Sequence, residues 1–70
     1  MKTKKIKYWD SVHSTRQLTE PIEPSKMEIV GFVIKETKEY ITLAQEIIDG
    51  EEYFNQISIP KGAIIKENKL

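Results

Sequence analysis

Three runs rich in β-branched and aromatic residues, at 28–36, 40–48 and 53–59, are separated by connections of only three and four polar residues. Val, Ile, Thr, Tyr and Phe fit a pleated, half-buried surface, and short polar breaks between such runs are the signature of consecutive hairpins. The chain is therefore expected to fold as a small, strongly bent β-sheet. In the run at 28–36, Ile29 and Val33 alternate against Val30, Phe32 and Ile34, so that strand is expected at the centre of the sheet, buried on both sides. Gly31 costs strand propensity, and a bulge or kink at that residue is the expected reason for it. The run at 40–48 puts Ile41, Leu43 and Ile47 on one face; a helix is the competing expectation there, because its second half holds good helix formers.

The remaining elements follow from punctuation. Asp49-Gly50 is a strong hairpin signal, since glycine accepts the positive φ of a tight return. Pro60 removes a ladder donor and ends the fourth strand. Lys61-Gly62-Ala63 has room for about one turn of 3-10 helix before a short strand at 64–67. Towards the N-terminus, Ile6 and Tyr8 alternate with Lys5 and Lys7 and predict a first strand over 4–11. From 12 to 27 the pattern lapses, and Pro21 and Pro24 forbid a helix. A long loop is expected, and loops of this length inside a small domain often carry function.

Seventy residues make one domain, 1–70. A chain this short buries only about 60% of its unfolded surface, so oligomerisation is the natural source of extra stability. The other usual sources are disulfides and metals, but the chain has no cysteine, and its lone His13 builds no metal site by itself. No cofactor is expected. No apolar run approaches the ~18 residues of a membrane span, and the basic start Met-Lys-Thr-Lys-Lys is not followed by the apolar stretch of a signal peptide. The net charge is zero but uneven: residues 1–17 carry +4, 18–57 carry −6 and 58–70 carry +2. If the first and last strands lie side by side, their lysines merge into one basic face. The simpler account is that they guard edge strands.

Catalysis finds little support. Asp10, Ser11, His13 and Ser14 imitate a triad, but they crowd into one segment, whereas triad members are positioned by separate elements. Glu51 with Glu52, and Glu36 with Glu39, are expected in full solvent at hairpin tips, where burial cannot tune them for acid–base work. The three glycines are isolated and make no phosphate loop. The candidate binding residues are Tyr8, Trp9, Asp10, Ser11, His13, Ser14 and Arg16, a stacking aromatic followed by polar and cationic groups suited to an anion. Trp9 capping one mouth of a barrel is the structural alternative. Single-stranded nucleic acid is a further expectation, resting on Tyr8, Trp9, Lys5, Lys7, Lys61 and Lys66, weakened by the zero net charge.

The elements Trp9-Asp10-Ser11, Val30-Gly31-Phe32-Val33-Ile34-Lys35-Glu36-Thr37, Tyr40-Ile41-Thr42-Leu43-Ala44 and Ile57-Ser58-Ile59-Pro60-Lys61-Gly62-Ala63-Ile64 together resemble a group of small uncharacterised bacteriophage and prophage proteins. The resemblance covers most of the chain outside 13–27. Members often carry a Gly-Trp pair after the first element, where this chain has His13-Ser14-Thr15-Arg16-Gln17. The resemblance implies no catalytic residue; it implies a protein made in the cytoplasm of a bacterial host and acting on a host component. The expected whole is a five-stranded SH3-like (Sm-like) barrel with a long loop after its first strand. Its expected role is a non-enzymatic interaction module for a host protein or its own copies, with sequestration of a nucleotide-like signal in phage counter-defence as the alternative.

Overall fold

The computed structural model describes residues 1–10 and 23–70. These form five strands: β1 (Thr3–Asp10), β2 (Ser25–Glu36), β3 (Tyr40–Ile48), β4 (Glu52–Pro60) and β5 (Ile64–Lys69), with a 3-10 turn, Lys61–Ala63, before β5. All pairings are antiparallel, in one sheet ordered β4-β3-β2-β1-β5. The fold is all-β, and the segment that admitted a helix is β3. First and last strands do lie side by side, so β1 is an interior strand and the sheet's outer strands are β4 and β5.

Alternation decides the core. Lys4, Ile6 and Tyr8 share one side of β1, and cross-strand partners share a face. Ile6 pairs with Ile29, Ile41 with Ile59 and Leu43 with Ile57. Ile6, Tyr8, Ile41, Leu43 and Ile59 are buried in one cluster, flanked by Ile29, Val33, Ile57 and Ile64. All five strands contribute, which requires the sheet to curl around that cluster. Two bulges assist. The β2–β3 register shifts between Val33 and Lys35, and the β1–β5 register shifts after Lys7, placing Ile64 opposite Tyr8 and leaving Ile65 half exposed. Each bulge adds local twist and bends its strand.

Turn chemistry fixes the ends. Thr37 Oγ1 accepts the backbone N–H groups of Glu39 and Tyr40 at 3.1 Å, closing the β2–β3 connection. At the β3–β4 return, Asp49 and Gly50 have φ of 53° and 69°, and Glu51 N–H donates to the Ile48 carbonyl at 3.1 Å. Positive φ at both central positions is what the favoured tight hairpin turn demands. The Lys61 N–H donates to the Glu39 carbonyl at 2.7 Å, tying the 3-10 turn to the β2–β3 connection.

Several expectations change. Strand β2 begins at Ser25, directly after Pro24, so the last residues of the expected loop belong to the sheet, where Ser25 pairs with Asp10; β1 starts at Thr3, one residue before the expected Lys4. Strand β2 is central, but its outer side is not covered, since Val30 is about half exposed. Gly31 is not a bulge: it pairs regularly with Lys4. A Cβ there would stand 2.9 Å from the Ala44 carbonyl oxygen and 3.1 Å from Leu43 Cβ. Its role is the close approach of β3, and the bulge lies beyond it at Ile34.

Candidate functional site

Of the residues expected to bind, Ser11, His13, Ser14 and Arg16 lie outside the described residues. Tyr8, Trp9 and Asp10, at the end of β1, line a recess of about 250 Å³ together with Ile57, Ser58, Ile59, Pro60 and Ala63. The three do not play one part. Tyr8 is core, only 7% exposed, and burial followed by the negative charge of Asp10 pushes its phenol above the ordinary tyrosine value. Trp9 is 44% exposed, with the Lys26 ammonium 5.1 Å from its ring centroid. A cation over an exposed indole face is an attractive contact on a surface that still meets water.

A second concavity was not foreseen. Ile34, Lys35, Tyr40, Thr42, Tyr53, Gln56 and Ser58 line an open hollow of about 470 Å³. Thr42 and Ser58 are cross-strand partners, and their hydroxyl oxygens are 2.7 Å apart. The Lys35 ammonium lies 5.7 Å from the Tyr40 ring centroid. By strict alternation Gln56 and Ser58 would share a face with Phe54 rather than with Tyr53. Asn55 has φ of 54°, and this left-handed residue interrupts the alternation between them. Its amide donates to Glu46 Oε1 at 2.6 Å. A strand pattern alone gives no sign of that break, although asparagine is the residue other than glycine that most readily adopts it.

The charged groups divide by face. On the core side, Lys4 is 9% exposed and pairs with Glu67 at 3.2 Å and Glu36 at 3.6 Å, while Lys61 Nζ donates to Glu36. Glu36 is thus held in an ion-pair chain rather than standing in full solvent at a hairpin tip. The Lys61 hydrogen bond, opposed by partial burial and reinforced by the charges of Lys4 and Lys61, lowers its carboxyl below the ordinary value. On the outer side, β1–β5 pairing sets Lys7 opposite Lys66 and Lys5 opposite Asn68. Lys5, Lys7, Lys66, Asn68 and Glu28 line a cleft of about 190 Å³. The basic face considered from the charge distribution is formed.

No protein-family model, curated protein or solved structure matches the chain. Among the described residues, no helix is long and apolar enough to cross a membrane.

Proposed function

We propose that the chain is a non-enzymatic interaction module, an accessory protein of bacteriophage or prophage origin that engages its own copies or a host protein in the bacterial cytoplasm. The observation that carries this reading is the outer edges of β4 and β5, at the two ends of one sheet, which no strand pairs among the described residues. An unpaired strand edge presents a row of backbone donors and acceptors that another chain can complete. Among the described residues only six apolar ones are buried, whereas Trp9, Met27, Val30, Ile48, Phe54 and Ile65 stay substantially exposed. A core this small gains from covering such residues. The strand order, with a 3-10 turn ahead of β5, supports an SH3-like (Sm-like) barrel as the finer description of the fold.

Light scattering coupled to gel filtration tests the reading. A mass that is a multiple of 8.2 kDa at micromolar concentration is expected. A monomer at high micromolar concentration that also captures no protein from host lysate would sink it. A second reading, sequestration of a nucleotide-like signal, draws on the recess beside Trp9. It requires Trp9 fluorescence to change across a nucleotide panel, and an unchanged spectrum removes it.

A further inference from the structure

Lysines on a sheet commonly guard an edge against pairing, and that accounts for Lys66 on β5. It does not account for Lys5 and Lys7, because β1 is paired on both sides, by β2 and by β5. Lys7 stands directly opposite Lys66, a like-charge juxtaposition that disfavours the ladder. Among the described residues neither ammonium has a carboxylate within ion-pair distance. Glu28 is, among the described residues, the single acid lining the cleft, and it sits 3.6 Å from Lys5. One row further along, Lys26 is the cross-strand partner of Trp9. Partners share a face, so among the described residues four lysines, Trp9 and Asn68 occupy one outer surface against one carboxylate.

We propose that this face binds single-stranded nucleic acid, the lysine cleft taking successive backbone phosphates and Trp9 stacking on a base. Charge complementarity selects a polyanion, and the indole at the end of the lysine row selects one with planar groups. Alternate residues along β1 are roughly 7 Å apart, comparable with the phosphate repeat of an extended strand. The zero net charge is spread unevenly: four of the eleven acids, Glu46, Asp49, Glu51 and Glu52, lie at the β3–β4 hairpin, and Glu36 and Glu67 are engaged by Lys4 on the core side. The set differs from the sequence expectation: Tyr8 is buried on the opposite face, Lys61 is engaged by Glu36, and Lys26 and Asn68 join. The proposal is independent of self-association.

Fluorescence anisotropy of a labelled oligothymidylate, titrated with the full chain at about 50 mM salt and then at rising salt, tests it. Saturable binding that weakens with salt is expected. Lys7→Gln with Lys66→Gln should reduce the log–log salt slope by about 1.4, two phosphates at ~0.7 each. Trp9→Ala should weaken binding roughly tenfold without altering the slope. Lys38→Gln, on the β2–β3 connection, should change neither. Quenching of Trp9 fluorescence by unlabelled oligonucleotide reads the same contact in the unaltered chain, free of any folding defect. Absence of both anisotropy change and quenching overturns the proposal. So does polyglutamate binding as tightly as the oligonucleotide with Trp9→Ala silent, an outcome that assigns the face to an acidic protein.

Discussion

Lys4 and Gly31 are direct partners across the β1–β2 ladder, a charged residue on the core side of one strand facing a residue without a side chain on the next. The absence of a Cβ at Gly31 lets the β3 backbone approach, and Lys4 keeps two carboxylates at the margin of the same region. Charge and close packing thus meet where β1, β2 and β3 converge.

Gly31→Ala should destabilise the chain by about 1–3 kcal/mol, because the new methyl group meets backbone rather than a side chain that can turn away. Gly62→Ala has open space around it and should stay within about 0.5 kcal/mol of the parent. Urea midpoints of the two variants measure the contrast, and equal midpoints would refute the close-approach account.

Stability should fall at both extremes of pH. The Glu36 carboxyl is lowered from its ordinary 4.5, so its contribution is whole above that value and is lost as pH drops below it. Burial disfavours the Lys4 ammonium, but the hydrogen bond and charge of Glu67, with the charge of Glu36, outweigh it and raise the group above 10.5. Its contribution is whole below that value and is lost as pH rises through the folded-state pKa. The raised Tyr8 phenol acts in the same alkaline direction. Melting temperature against pH should show both limbs, and Glu36→Gln should flatten the acid one.

Leu43→Ala should cost about 2–5 kcal/mol and leave the chain unfolded or nearly so, since Leu43 is fully buried and a domain this small has little stability to lose. Val30→Ala, on the half-open outer side of β2, should cost under about 1 kcal/mol. Thermal melts followed by far-ultraviolet dichroism separate the two.

Asn55→Ala and Asn55→Gly both remove the hydrogen bond to Glu46. Only the alanine variant must hold a Cβ in the left-handed region, so it should be less stable than the glycine variant by about 1 kcal/mol. Identical denaturation curves would mean that β4 straightens once the asparagine is gone.

Strand positions were legible because alternation and turn residues are local signals: Asp49-Gly50, Pro60 and the run from Tyr40 to Ile48 each placed an element within a residue or two. What escaped depends on partners distant in sequence. Nothing near Gly31 announces the Ala44 carbonyl, and Lys4 reads as one more exposed lysine until Glu36 and Glu67 are brought beside it. Pro24 concealed the start of β2, because a proline marks where pairing is prevented and not where it resumes. At the candidate site, Trp9 was conspicuous from its type alone. The lysine cleft needed the β1–β5 pairing, and the Tyr53 hollow needed the backbone of Asn55.

Because Thr3–Asp10 is held between Ser25–Glu36 and Ile64–Lys69, the second side of the first strand stays vacant on the ribosome until the last strand has emerged. The hairpins formed by β2, β3 and β4 join segments close in sequence, whereas the step that seals β1 closes a loop spanning most of the chain. Pairings so distant in sequence slow folding. Over that interval β1 offers a nascent chain an edge that the finished protein no longer has.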